Sequence, residues 1–335
     1  ASENRWLHLC SGTSRARAEN GSSGKLRVAQ STDSQPFQAY GKAYVFLTIT
    51  ALCWGGNAVF GRLAVNEISP MLLVSLRWLG VLTLLTLFAR STLIEGWRAL
   101  RPHWAFVAAM GALGFAAFNA LFYVAAHRTT AVNIGILQGS IPVFVLLGIF
   151  LVYRTKVSAL QIAGVAVTIV GVALVACGGD LTALARLTLN SGDLLMIAAC
   201  FLYASYTVGL RRRPAVPALA LFAGFAAAAF IASLPLVAVE ASLGHFQWPT
   251  RQGWLVVVLV TLFPSFLAQV CFIQGVSLIG PGRAGIFVNL VPIFASILAV
   301  IVLGEAFEVF HALALLLVLG GIWLAERGKP VTSSG

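Results

Sequence analysis

The residues of this chain able to do chemistry point to recognition of a ligand, not to bond-making. Trp54 and Asn57 stand three apart, and Tyr203 and Tyr206 repeat the spacing. In a helix such pairs share a face. Asn119 and Tyr123 also share one, and Gln138, Gln269 and Asn289 add further amides. Amides with aromatics suit a small ligand that has an aromatic face and a polar head, because rings stack while amides fix orientation. The competing role for the same amides is hydrogen bonding between neighbouring helices. Arg77 is the one charge well inside an apolar run. Its guanidinium would pair bidentately with a substrate carboxylate, snorkel to the interface, or meet a helix C-terminus.

Absences narrow the chemistry. Glu67, Glu95, Asp180, Asp193, Glu240, Glu305 and Glu308 lie near the ends of apolar runs, as do His103, His127, His245 and His311. Proton-coupled carriers need a buried titratable group, so movement down the substrate gradient is expected. Glu305 would overturn this if its helix carried it into a cavity. No Ser/His or His/Asp constellation converges, so an enzyme is not expected; a lipid-modifying membrane enzyme is the alternative of another class. The Gly280-Pro281-Gly282 turn lacks the strand and lysine of a phosphate cradle. The cysteines at 10, 53, 177, 200 and 271 have no metal-type spacing, so no metal, cofactor or disulfide framework is expected.

The elements that hold these residues follow from composition. Of 335 residues, 59% are hydrophobic and 10% charged, and mean hydropathy is +0.91. Soluble domains carry about 25% charge because their surface faces water, so a soluble enzyme is excluded. The apolar runs are long and continuous, unlike the short alternating strands of a β-barrel. They cover 43–61, 68–89, 102–127, 129–153, 157–179, 194–210, 214–239, 252–282, 284–304 and 309–325. Each supplies the roughly 17–25 residues of a spanning helix, and a backbone in lipid must satisfy itself as helix. The fold class is an all-α polytopic membrane protein with ten transmembrane helices.

An even number of spans puts both ends on one side. The connections on that side hold twelve Lys and Arg against four opposite, tail and Arg77 aside. By the positive-inside rule both termini are cytoplasmic. The net charge of +11 then reflects topology, with Arg211–Arg213 as an anchor, and not a nucleic-acid surface. A disordered polar tail is expected over 1–41 and a short C-terminal tail over 329–335.

Between the tails the chain repeats. At an offset of 150, Pro142 pairs with Pro292, Gly135 with Gly285, Phe144 with Phe294, Gly171 with Gly321, Phe122 with Phe272 and Asn119 with Gln269. At 149, Trp54 pairs with Tyr203 and Asn57 with Tyr206. Two five-helix repeats, 42–179 and 180–328, result. Five is odd, so the second enters the membrane inverted, as in secondary transporters with a site at the midplane. Pro142 and Pro292, mid-helix, would kink their helices, either to shape gates or as static packing.

Trp54-Gly55-Gly56-Asn57 resembles the first-helix signature of the drug/metabolite transporter superfamily, and Ser75-Leu76-Arg77-Trp78 its second-helix element. Leu290-Val291-Pro292, Leu303-Gly304-Glu305 and Gly320-Gly321 are similar to the end of an EamA repeat, whereas Thr155 stands where Glu305 has its counterpart. Within the superfamily the chain most resembles YddG-type aromatic amino acid exporters. The resemblance implies a central cavity and export of small metabolites, aromatic or hydrophobic amino acids first, with Trp78 joining the lining. Drugs or nucleotide sugars are the alternative cargo. A monomer in the inner membrane, with lipid and substrate as its partners, completes the expectation.

Overall fold

The computed structural model describes residues 34–154, 157–180 and 190–328. Contacts divide the chain into two units, Ala1–Gln38 and Ala39–Gly335; of the first, Ser34–Gln38 are described, as helix. The membrane helices all lie in the second. The rest of the N-terminal tail, residues 329–335 and Thr155 lie outside the described residues.

Among the described residues, ten helices are long and apolar enough to cross a membrane. They are α1 (Tyr40–Leu63), α2 (Pro70–Phe88), α3 (Leu93–Ala126), α4 (Ala131–Tyr153) and α5 (Ala159–Ala176), then α6 (Ser191–Arg212), α7 (Ala218–Ser242), α8 (Arg251–Ile279), α9 (Arg283–Leu303) and α10 (Val309–Arg327). The chain is an all-helical membrane protein of two inverted five-helix repeats.

The inversion can be read from pairs of contacts. Gly164 of α5 packs against Gly321 of α10, and Gly171 against Ala314. Adding 150 to one member of the first pair and subtracting it from the other gives the second pair, as a twofold between inverted repeats requires. Helix ends repeat likewise. Arg154 and Gly304, 150 apart, close α4 and α9 with φ of 53° and 64°, the left-handed geometry that ends a helix. Ser158 and Glu308, also 150 apart, cap α5 and α10 reciprocally with Gln161 and His311.

Two pairs of irregularities stand in matching places. α4 is broken into Ala131–Gln138 and Ile141–Tyr153, and α9 breaks between Val288 and Val291. Pro142 and Pro292 are each the second residue of the later half. The expected kink inside a continuous helix is therefore corrected to a break. A proline in the first turn has no intrahelical N–H bond to lose, so it starts a helix without penalty. The second pair is a π-helical turn at Ala112–Ala117 in α3 and another at Thr261–Leu267 in α8.

Candidate functional site

Side chains bond the backbone carbonyls of both π turns. In α8 the N–H of Ala268 reaches back to the carbonyl of Phe263, five residues away, which leaves the carbonyl of Pro264 free. The Trp54 indole N–H donates to it over 3.1 Å. Pro264 has no N–H for the carbonyl of Val260, which the π register passes to Ser265; the Ser265 hydroxyl also donates there at 2.5 Å. In α3 the Asn119 amide donates to the Phe115 carbonyl at 2.6 Å. Thus Trp54 and Asn119, from spans far apart in sequence, are both oriented by bulged backbone, a feature frequent at functional sites.

Between the breaks and bulges lies a cavity walled by both repeats. Trp54, Asn57, Arg77, Trp78, Asn119, Gln138 and Pro142 line it from the first repeat, and Tyr203, Gln269, Asn289 and Pro292 from the second. Eleven of the thirteen residues singled out in the sequence therefore meet here. Phe115, Phe118, Ile141, Pro264 and Ile322 complete much of the apolar wall; sequence alone does not select them, because apolar residues in these helices face lipid equally often. Tyr203 packs on Phe118 with centroids 5.0 Å apart, and Trp54 on Phe272 at 5.3 Å.

The other two stand elsewhere. Tyr206 lines a wider adjoining cavity and packs edge-on against Phe225 at 5.7 Å. Tyr123, 1% exposed, is a partner of Arg77. The guanidinium Nη1 donates to the Tyr123 hydroxyl at 2.5 Å, to Asn119 Oδ1 at 2.7 Å and to Asn57 Oδ1 at 3.2 Å. Arg77 is 4% exposed, so it does not snorkel. A charge at mid-bilayer costs roughly 2.5–3.5 kcal/mol on insertion scales. Hydrogen bonds to a charged group return about 1.5–3 kcal/mol each, so three neutral acceptors suffice to hold it. Trp78 stacks on Phe115 at 4.6 Å and 11°, with the Arg77 guanidinium carbon 5.2 Å from its ring centre.

The wider cavity continues from Trp54 and Asn289 past Val145, Ile149, Gln161, Leu210 and Glu326. These residues lead to the end of the bundle that carries Arg211 and Arg212. Glu326, in the last turn of α10, accepts from Asn289 Nδ2 at 3.4 Å; it falls just past an apolar run, which is why sequence patterning passes over it.

At the opposite end two acids, Glu305 and Glu240, serve as caps. Glu305 accepts from the N–H groups of Ala131 and Val132 at 2.9 and 3.0 Å, at the start of α4, and lies 3.6 Å from Arg62. It stands outside both cavities. Glu240 does the same for α2 through Met71 and Leu72. Carboxylates are favoured there because a helix N-terminus presents unpaired N–H groups and a positive dipole. Asp193, although near the end of its run, is only 1% exposed. It accepts from Thr129 and Asn133, and the Asn133 carbonyl oxygen is 3.1 Å from His311 Nε2. Because His311 Nδ1 accepts from the Glu308 N–H at 2.9 Å, the proton resides on Nε2. Among the described residues no cluster of His, Cys, Asp and Glu has the form of a metal site.

Comparison with known proteins agrees with this architecture. A model of the EamA-like transporter family matches residues 41–177 and again 190–326. The uncharacterized transporter YetK of Bacillus subtilis (strain 168) is 29% identical over 291 residues, covering 86% of this chain and 87% of its own. An uncharacterized transporter of Archaeoglobus fulgidus is 26% identical over 294 residues, covering 84% and 96%. A solved crystal structure superposes with a TM-score of 0.58 at 22% identity, covering 85% of this chain and 96% of that one.

Proposed function

The chain belongs to the EamA-like transporter family, a family of transporters and not of enzymes, and we propose that it exports small metabolites through the cavity between its repeats. The preferred cargo is a compound with an aromatic or apolar body and a polar head, the hydrophobic amino acids among them. The observation that carries this reading is the lining itself. Trp54, Phe118 and Tyr203 offer ring faces, and Asn57, Gln138, Gln269 and Asn289 offer amides around one space. Such a composition fits ligands that stack and hydrogen-bond. A nucleotide sugar would call for more cationic groups than Arg77 supplies, and a drug cation for an acid in the narrower cavity, whose lining includes none.

Transport proceeds by rocking of the inverted repeats, with the broken helices α4 and α9 as the yielding elements. Discontinuous helices at a binding site leave backbone groups free and let each half move separately. The end bearing Arg211 faces the cytoplasm, together with both termini, and the end bearing Arg62 and Glu305 faces outward in the inner membrane. The carrier acts as a monomer surrounded by lipid. Glu240 and Glu305 serve as caps of α2 and α4, and the narrower cavity's lining includes no acid, so flux follows the substrate gradient alone.

The test is uptake of labelled tryptophan, phenylalanine, threonine and a nucleotide sugar into proteoliposomes, with and without a pH gradient. Flux of the aromatic amino acids at equal rates in both conditions is expected. Nucleotide-sugar flux alone would overturn the cargo, and accumulation driven by the pH gradient would overturn the uncoupled mechanism.

A further inference from the structure

The cavity contains a half-used cation. All three hydrogen bonds of the Arg77 guanidinium leave from Nη1. Its Nε is buried without a partner, and so is the indole N–H of the adjacent Trp78. No hydrogen bond of Nη2 to a described residue accompanies them. The side chain is 4% exposed and yet forms part of the cavity wall. The Nε–Nη2 edge is the pair of parallel donors with which a guanidinium grips a carboxylate bidentately. Asn57, Asn119 and Tyr123 hold the other side of the group, which fixes its plane before any ligand arrives.

Charge sharpens the assignment. The three acceptors of Arg77 are neutral, and the narrower cavity's lining includes no carboxylate. A buried cation without a counter-ion favours a ligand that brings one. A single negative charge balances it, whereas a phosphate dianion leaves an excess charge in an apolar enclosure. The oxygens of Asn57 and Asn119 already accept from Arg77, so this end of the cavity presents donors and has little to offer an ammonium group.

We infer that the ligand's head is a carboxylate, held by the free Arg77 edge and the Trp78 indole, and that the site selects aryl monocarboxylates without requiring an ammonium group. This rests on the proposed function, since it assigns the polar head within the same cavity. Aromatic amino acids then bind as carboxylates that happen to carry an amine, and aryl amines are excluded.

Calorimetry on the purified protein in nanodiscs tests this with three probes that share one ring: 3-phenylpropionate, phenylalanine and phenethylamine. The acid is expected to bind at least as tightly as phenylalanine, and the amine not at all. Arg77→Gln should weaken the acid roughly 10–100-fold, the range for a lost charge-assisted bond, and weaken the neutral 3-phenylpropanamide by a much smaller factor. If that variant fails to fold, Trp78→Phe, which keeps the ring on Phe115, should weaken the acid about 5–10-fold. Binding of phenethylamine and phenylalanine without the acid would overturn the carboxylate assignment and leave the aromatic cavity standing. Binding of none of the three would overturn both. Competition by chloride or inorganic phosphate as effective as that of the acid would reduce the site to an unselective anion pocket and refute the inference.

Discussion

Gly164 and Gly321 touch backbone to backbone: a Cβ built on Gly321 would fall 2.5 Å from the carbonyl oxygen of Gly164, and one built on Gly164 would strike the carbonyl of Gly321. The last helices of the two repeats cross here, so the contact joins the halves of the molecule. Helices in lipid gain little from hydrophobicity when they associate and depend on such close approach.

Gly164→Val is therefore expected to lower thermal stability by about 1–3 kcal/mol or more, the usual cost of overpacking, because backbone cannot yield as a side chain does. The neighbouring Gly320 has nothing within 4 Å of an added Cβ. Gly320→Ala should be neutral or stabilise by about 0.5–1 kcal/mol, the gain of alanine over glycine within a helix. Melting of the two purified variants in one detergent checks both.

Glu305→Gln should cost about 1–2 kcal/mol, the range for a charge at a helix N-terminus in partly buried geometry. Arg62 contributes little of it. Its side chain is 33% exposed and 3.6 Å distant, and pairs of that kind are worth about 0–1 kcal/mol. A double-mutant cycle with Arg62→Gln is expected to give coupling at the low end of that range. Flux in the Glu305→Gln variant should stay as insensitive to a pH gradient as in the wild type.

Ser265→Ala removes the hydroxyl that bonds the Val260 carbonyl at the start of the π turn. Losing one such neutral hydrogen bond costs about 0.5–1.5 kcal/mol. Because the same bulge offers the Pro264 carbonyl to Trp54, the variant should also weaken substrate affinity, whereas Trp54→Phe should affect affinity with little loss of stability. Binding and melting measured on both variants separate the two effects.

His127, beyond the end of α3, keeps an exposed surface, and its partial desolvation, then the charges of Arg62 and Arg128, hold it below its usual pKa of 6.5. The fold favours its neutral form, and because water screens the exposed ring the linked effect is small. The stability linked to this group is present above about pH 6.5 and is lost as the pH falls through the lower folded value. Melting curves from pH 7.5 to 5 should show the wild type losing more stability on acidification than His127→Asn.

Much of this architecture is legible in the sequence, because lipid forces helices and charges mark their ends. The offset of 150 between Pro142 and Pro292 is legible as well. The breaks beside them are not, since Gly139 and Ser140 in α4 share no signature with Asn289 and Leu290 in α9. The π turn of α8 has a sequence cause in Pro264, but Gly114 stands in the matching stretch of α3 and gives no such sign. Asn57, Asn119 and Tyr123 can be picked out as polar residues in lipid. That they turn toward Arg77 depends on the rotation of three helices about their axes, which packing sets and local sequence does not. Asp193 is misjudged for the opposite reason, since nearness to the end of a run says nothing about burial when another helix covers the end.

If one cavity serves both sides of the membrane in turn, the accessibility of Gln138, at the break of α4, must alternate, and this tests the transport mechanism most directly. A cysteine-free background carrying Gln138→Cys would be reconstituted and treated with a membrane-impermeant thiol reagent from each side, with and without phenylalanine. Labelling from the Arg211 side at rest, labelling from the Arg62 side during transport, and protection from both by saturating ligand are predicted. Labelling confined to one side under every condition, or unaffected by ligand, would contradict alternating access through this cavity.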